Sequence, residues 1–373
     1  MASGHGFVDP FSSLADPPAT AAHPPGWPLL LALISKLGGS GMTSHRLAGC
    51  LVGAAAVAAI GALGWRVAGE RVGLLAAAVA ALDPLLIAVD ESLMSEPLYG
   101  LVVALALIAA YAALERPTPG RYALLGAAIG VAALVRSEAL LLLVLLVAPL
   151  GVRGRRPLPA LAALAAAALV VAPWTIRNAL ALGSFVPLST NTGTLVAGAN
   201  CQRSYTGSGL GSWTILCVPP ARGRPELLHE HALRERGLDY AREHAGRLPL
   251  VVPARVLRTW SLMQPWRQAA LDEFGEGKDR RALRAGALFY YLECALALAG
   301  AALMRRRGRT LLVLAAPLLL ATLAGALAYG TPRLRHAAEI PLALLAAVAL
   351  DAGAERVRAA RGRAARLRRP AGA

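Results

Sequence analysis

The chain has little charge for its length and almost no lysine. Charged residues make up 16% of its 373 residues and hydrophobic residues 56%, and the mean hydropathy is +0.53. Lysine occurs only at Lys36 and Lys278, so arginine supplies nearly all of the positive charge behind the net value of +16. So apolar a composition excludes an ordinary soluble domain and predicts a polytopic membrane protein. The bias toward arginine, alanine and glycine is typical of GC-rich coding, and we expect a bacterial protein.

Nine apolar segments predict membrane-spanning helices, although several are shorter than the roughly 20 residues that a bilayer requires. Arg136, Ser137 and Glu138 interrupt a longer apolar stretch, which therefore predicts two short helices rather than one. The predicted segments are 46–65, 72–89, 93–114, 122–135, 139–150, 158–176, 285–304, 311–329 and 337–349.

The arginines predict which loops lie inside the cell. They concentrate in short loops between apolar segments, around residues 66–71, 116–121, 153–156 and 305–309. This is the positive-inside pattern, and it excludes nucleic-acid binding as the main reason for the basic charge. The loops around residues 90–96, 136–138 and 331–336 then lie outside, together with the long polar stretch that follows residue 177. We expect a bacterial inner-membrane protein with its active site facing outward.

No signal peptide precedes the first apolar segment. Residues 1–28 are polar and proline-rich, with neither a charged n-region nor an apolar h-region. The alternation of loops nevertheless places this stretch outside. We therefore expect a first helix to be missing from the chain, because one additional upstream helix would place the N-terminus inside.

The alternation predicts five regions. Residues 1–45 are part of a first outer loop with an interfacial helix at 27–37, and residues 46–177 form the first six spanning helices. A mixed extracytoplasmic domain follows at 178–284, then three spanning helices at 285–350 and a basic cytoplasmic tail at 351–373. We expect the tail to contact anionic lipid headgroups.

Only four cysteines are present. Cys50 and Cys294 lie in apolar segments and are expected to be inert. Cys201 and Cys217 both fall in the outer domain, an oxidising location in many bacteria, so we expect a disulfide there. The alternative is two unpaired thiols, and the spacing is not that of a metal site.

Three acidic residues lie close together in the second outer loop. Asp90, Glu91 and Glu96 are candidates for binding an acceptor hydroxyl, an amine or a metal ion. The alternative is structural: Ser95 would cap the next helix, and Glu96 would interact with the dipole at the helix N-terminus. Asp83 is set deeper, within an apolar segment.

Arg333 and Arg335 lie at the outer end of the last spanning helix. Two guanidinium groups there suit a phosphate, because each offers forked donors. The alternative is that both arginines anchor the helix in lipid headgroups. A transporter would show charges on several helices at mid-membrane depth, and by sequence only Asp83 fits that description.

Several motifs resemble the GT-C membrane glycosyltransferases. The similar branch contains the protein O-mannosyltransferases, the aminoarabinose-lipid A transferases and bacterial RgtA/B/C/D-like enzymes. The matching blocks run from residue 23 to residue 341 in the family's order: HPPGWP at 23–28, Arg46, DESLMSEP at 90–97, PWTIRN at 173–178 with GSFVPLST at 183–190, and RLR at 333–335 before EIP at 339–341.

The resemblance implies a GT-C fold and transfer of a hexose or pentose, with inversion, from a polyprenyl phosphate to a protein, lipid or glycan acceptor outside the membrane. It implies carboxylates for the acceptor among Asp90, Glu91 and Glu96, and arginines for the lipid phosphate, for which Arg46, Arg333 and Arg335 are the candidates. His23 is a further phosphate partner. Some relatives use a divalent cation, but nothing in the spacing requires one.

In these families an acidic residue after the first spanning helix is the general base, and the chain begins beyond that point. Two alternatives therefore stay open beside a lipid-linked-sugar glycosyltransferase. One is a transporter or flippase of lipid-linked sugars, and the other is a non-catalytic fragment that keeps the fold.

Overall fold

The computed structural model describes residues 1, 4–10, 17–154, 157–221 and 223–367. Within these residues the secondary structure is helical, and the one β-bridge joins Val8 to Ala19. This confirms the all-α polytopic class. Residues 155, 156 and 368–373 of the predicted basic loop and tail lie outside the described ranges.

Each of the nine predicted apolar segments contains a helix. In chain order the helices before the polar stretch are α1 (Gly26–Lys36), α2 (Met42–Ala68), α3 (Glu70–Leu82), α4 (Pro84–Asp90), α5 (Glu96–Glu115), α6 (Pro119–Ala133), α7 (Ala148–Gly154) and α8 (Pro157–Leu182). The polar stretch holds α9 (Thr192–Ala199), α10 (Gln202–Tyr205), α11 (Glu226–Glu243), α12 (Leu248–Thr259) and α13 (Pro265–Glu276). The chain continues with α14 (Arg280–Arg306), α15 (Leu312–Leu327) and α16 (His336–Leu367).

Five helices among the described residues are long and apolar enough to cross a membrane: α2, α5, α8, α14 and the segment Pro332–Arg361 that contains α16. The pair α3 and α4 becomes a sixth if its 65° bend is counted within one broken span. Asp83 lies at this bend. Its side chain accepts the Leu85 backbone N–H at 2.8 Å, and Pro84 opens α4 at a position where no donor is lost.

The segment from 122 to 150 is broken, as predicted. α6 ends at Ala133, Arg136 has extended backbone geometry, and a short apolar helix follows over Ser137–Val152. This second helix starts with a 3₁₀ turn and contains a π-helical stretch at Leu143–Val147.

The bundle has two chemically different ends, which the ends of α5 define. At its C-terminal end Glu115 pairs with Arg66 at 2.6 Å, and both side chains are partly exposed. We call this the Arg66 end. At its N-terminal end Glu96 is fully buried, and we call this the Glu96 end. The central helices α5 and α16 are mostly buried, whereas α8 and α14 expose apolar side chains suited to lipid.

Candidate functional site

Glu96 is held between two arginines. Its Oε1 accepts Arg136 Nη1 at 2.8 Å and Arg333 Nε at 2.6 Å, and Arg136 Nε also donates to Glu138 at 2.6 Å. We call these four residues the Glu96 cluster. Its members come from the start of α5, the break after α6 and the turn before α16, so three distant parts of the sequence meet at one end of the bundle.

The cluster is mostly shielded from solvent, but unevenly. The side chain of Glu96 is 1% exposed and that of Arg136 is 13% exposed, whereas Arg333 is 26% exposed. Burial alone would lower the pKa of Arg136, but the carboxylates of Glu138 and Glu96 raise it, so the guanidinium stays charged. Arg333 is therefore the more exposed of the two arginines in the Glu96 cluster.

The HPPGWP block packs directly against this cluster. The Gly26 backbone N–H donates to the Leu134 carbonyl at 2.7 Å, beside the break that carries Arg136. A Cβ on Gly26 would lie 2.8 Å from that oxygen, so glycine is needed for this close approach. Trp27 Nε1 donates to the Leu93 carbonyl at 3.0 Å, in the loop before Glu96.

His23 belongs to the same end of the bundle. It is partly exposed, but the protein atoms around its imidazole and then the charge of Arg333 lower its pKa, against a smaller opposing effect from Glu226. The lowered pKa favours the neutral imidazole, which carries one N–H donor.

The acidic residues of the turn at 90–97, which we call the acidic turn, lie in different environments. Glu91 is exposed and Asp90 is half-buried at the end of α4. Asp90 lies against α2 so closely that a Cβ on Gly53 would meet its carboxylate at 2.0 Å. Ser95 occupies the N-cap position of α5 but its hydroxyl accepts no cap hydrogen bond, so this part of the structural alternative is not observed.

Arg335 and Arg46 differ from Arg333 in their surroundings. Arg335 is 1% exposed; it donates to Glu339 Oε1 at 2.7 Å and to the Thr259 carbonyl at 3.2 Å, and it lies over the Tyr290 ring at 3.7 Å. Arg46 is exposed near the start of α2. The described contacts do not bring either residue into the Glu96 cluster.

The PWTIRN and GSFVPLST blocks form a structural corner. Trp174 Nε1 donates to the Leu188 carbonyl at 2.7 Å, and the buried Asn178 amide donates to the Val186 carbonyl at 3.0 Å. Arg177 reaches back to the carbonyl groups of Phe7 and Thr20 at 2.6 and 2.7 Å. These contacts fix the end of α8 and connect it to the N-terminal segment, which accounts for the polar residues of the motif.

A second buried group was not foreseen as a unit. Asp83, Glu293 and Glu339 are all buried, and their carboxylate oxygens lie within 4.8 Å of one another. We call this the carboxylate triad. Asp83 stands out in the sequence and Glu339 lies in the EIP block, whereas Glu293 was not predicted; its signal is a lone acidic residue in the middle of an apolar segment.

The polar stretch at 178–284, which we call the polar domain, contains a disulfide and a cleft. Cys201 and Cys217 form a disulfide. A cleft of about 600 Å³ lies beside it, lined partly by Arg203, Arg236 and Glu243. None of its lining residues belongs to the Glu96 cluster, so the cleft is a separate surface.

Part of the chain matches a known protein family. Residues 22–176, less than half of the chain, match the model of the dolichyl-phosphate-mannose-protein mannosyltransferase family. This match supports a GT-C membrane glycosyltransferase. No curated protein and no solved structure gives a significant match.

The matched region holds much of the Glu96 end. It includes His23, the acidic turn and three members of the Glu96 cluster, whereas Arg333 lies beyond it. The ion pair between Glu96 and Arg333 therefore joins the matched region to the C-terminal part of the chain.

Proposed function

We propose that this protein transfers a sugar, with inversion, from a polyprenyl phosphate to an acceptor at the Glu96 end of the bundle. The observation that carries the proposal is the Glu96 cluster: two arginines at one end of an apolar bundle, one of them partly exposed. Arginine binds phosphate through forked, charge-assisted donors, and the apolar helix surfaces suit a prenyl chain.

Arg333 is the residue we assign to the lipid phosphate. When the bond from the anomeric carbon to the phosphate oxygen breaks, negative charge grows on the departing polyprenyl phosphate. A guanidinium beside that oxygen stabilises the transition state more than the ground state. Glu96 and Glu138 act as positioning residues, because they fix Arg136 and, through Glu96, Arg333. Arg46, Arg335 and His23 are further candidates for phosphate binding, with His23 donating its neutral N–H.

The acceptor side of the reaction needs a carboxylate. The acceptor oxygen attacks the anomeric carbon while its proton passes to a base. Glu96 is already occupied by two arginines, so we assign acceptor binding to Asp90 and Glu91, the more accessible acids of the same turn. The acceptor is a protein, lipid or glycan outside the membrane.

We further propose that the Glu96 end faces outward from a bacterial inner membrane. The basic loops around residues 66–71, 116–121 and 305–309 lie at the Arg66 end, which the positive-inside rule assigns to the cytoplasm. The disulfide of the polar domain suits an oxidising compartment. Both the domain limits at residues 178 and 284 and this orientation rest on the order of the helices.

A transfer assay tests the proposed function. Purified protein is incubated with a panel of polyprenyl-phosphate sugars and a membrane extract that supplies acceptors. We expect release of polyprenyl phosphate coupled to labelling of an acceptor, and an at least tenfold loss with Arg333→Ala. The matched control is Arg66→Ala, which removes an arginine ion pair at the opposite end. Full transfer by Arg333→Ala would contradict the phosphate role.

One observation favours a second candidate, the transport of lipid-linked sugars. The carboxylate triad places charge on several helices, and α3 and α4 are broken at Asp83. Both features occur in transporters. Proteoliposomes separate the two functions: a transporter moves a labelled lipid-linked sugar between leaflets without acceptor, whereas a transferase consumes it only when acceptor is present.

A further inference from the structure

The carboxylate triad is buried in the helix bundle and shares no ion pair with the Glu96 cluster among the described contacts. Asp83 occupies the bend between α3 and α4, Glu293 the middle of α14 and Glu339 the first turn of α16. These elements pack on one another: α14 against α4 and α16, and α16 against α3. The three side chains are 2%, 3% and 2% exposed.

Two of the carboxylates have an oxygen without a partner. Glu293 Oε2 and Glu339 Oε2 are buried and accept no hydrogen bond, although the other Glu339 oxygen accepts Arg335. Each carboxylate contributes one oxygen to a group within 4.8 Å, so each unpartnered oxygen either belongs to that group or shares a carboxyl carbon with an oxygen that does. A buried polar atom without a partner is costly, so a ligand that satisfies both atoms would stabilise the fold.

The charges of the surroundings indicate the sign of that ligand. Arg335 is the guanidinium in direct contact with the triad, through Glu339. Three ionised carboxylates and one guanidinium leave two negative charges, which a divalent cation would neutralise. The broken backbone at Asp83 also suits an ion, since irregular backbone within a membrane protein is tolerated where it lines a site.

We propose that Asp83, Glu293 and Glu339 bind one divalent cation of the Ca²⁺ or Mn²⁺ type inside the helix bundle. Carboxylate oxygens suit these hard cations. Calcium takes its oxygens at about 2.3–2.6 Å, so two ligands on opposite sides of the ion are separated by roughly 5 Å. The 4.8 Å limit of the triad agrees with that spacing. Such an ion would join α3–α4, α14 and α16, the elements that approach the Glu96 end from both halves of the chain.

Binding of Mn²⁺ alone tests the site directly. Purified full-length protein, with any affinity tag removed, is titrated with Mn²⁺ and free metal is followed by electron paramagnetic resonance. We expect one saturable site per chain, displaced by Ca²⁺. Glu293→Gln and Asp83→Asn should each weaken Mn²⁺ binding at least tenfold, and Mn²⁺ should raise the melting temperature of the unaltered protein but not of these variants.

Asp351→Asn is the matched control, because it removes a carboxylate near the other end of the spanning part of α16 and should bind Mn²⁺ as the unaltered protein does. The titration of the unaltered protein decides by itself whether a site exists. Absence of saturable Mn²⁺ binding would overturn the proposal in favour of protons shared among the carboxylates. Unchanged binding by a folded Glu293→Gln or Asp83→Asn would overturn the location.

Discussion

At the residue scale, Glu96 shows how burial changes the role of a carboxylate. Its position in an acidic turn indicated a direct contact with substrate, with helix capping as the alternative. In the structure it is enclosed and binds two arginines. The sequence identified both Glu96 and Arg333, but no local pattern relates residues 237 positions apart. Their pairing depends on the packing of α5 against the turn before α16.

Glu96→Gln should destabilise the protein strongly. The substitution leaves two buried or half-buried guanidinium groups without their shared anion, and removal of one partner of a buried ion pair costs about 3–5 kcal/mol. Glu115→Gln is the matched control, because it breaks the partly exposed pair with Arg66 and should cost no more than about 1 kcal/mol. Chemical unfolding in detergent micelles measures both variants. If the two variants were equally stable, burial of the Glu96 cluster would make no contribution to the free energy of unfolding.

The pKa of His23 predicts a pH dependence of donor binding. In the protein without bound phosphate, loss of solvent around the imidazole and the charge of Arg333 lower this pKa below its ordinary value of 6.5. A bound phosphodiester would favour the imidazolium and raise the pKa, so the bound state takes up a proton. Affinity for a polyprenyl phosphodiester should therefore increase as the pH falls from about 7.5 to 5.5.

Isothermal titration calorimetry across that pH range measures the effect. A phosphodiester is the suitable ligand, because its own charge does not change over the range. His23→Gln should flatten the dependence, whereas His231→Gln, on the exposed face of α11, should leave it intact. A pH dependence retained in full by His23→Gln would remove His23 from the phosphate site.

At the element scale, the close approach of α4 to α2 positions the acidic turn. The apolar patterns predicted the helices and the break at residues 136–138, because periodicity and interruptions are local properties. They did not show that Gly53 makes room for Asp90, since that requires knowledge of which helices are neighbours. The PWTIRN block is a similar case: its polar residues resembled a family motif, and the structure gives them hydrogen bonds that hold a corner.

Gly53→Ala should displace α4 from α2. The added Cβ would lie 2.0 Å from Asp90 Oδ2, so the helices must separate or the carboxylate must turn away, at a cost of about 1–3 kcal/mol. Gly120→Ala is the matched control at the start of α6, where a Cβ meets no atom within 4 Å. Thermal unfolding in micelles compares the two. A Gly53→Ala protein as stable as Gly120→Ala would contradict the tight packing of these helices.

At the scale of the whole molecule, the two ends of the helix bundle differ in burial. The ion pairs of Glu96 are shielded from solvent, whereas the pair of Arg66 with Glu115 is partly exposed. The charges of the loops predict which end faces the cytoplasm, because lysine and arginine near helix ends follow the positive-inside rule, and this orientation stays a prediction. The charges of the loops do not predict the carboxylate triad. Glu293 is a single acid in an apolar run, and only the packing of α14 on α4 and α16 brings it to Asp83 and Glu339.

Labelling of introduced cysteines tests the orientation. In a background with Cys50→Ser and Cys294→Ser, a membrane-impermeant maleimide is added to intact cells. Glu235→Cys, exposed on α11, should react because the proposed topology places the polar domain outside, whereas Arg307→Cys, exposed at the Arg66 end, should react only after the cells are opened. The reverse pattern would invert the proposed topology and place the disulfide in the cytoplasm.

In the proposed function Arg333, fixed by Glu96, binds the phosphate of a polyprenyl donor. The most direct measurement is the equilibrium affinity of a short polyprenyl phosphodiester for the unaltered protein, Arg333→Ala, Arg333→Lys and the control Arg66→Ala. Hydrogen bonds to charged groups contribute about 1.5–3 kcal/mol, so we predict binding at least tenfold weaker for Arg333→Ala, partial recovery with lysine and no change for Arg66→Ala. Equal affinity of Arg333→Ala and the unaltered protein would show that Arg333 does not bind the donor phosphate.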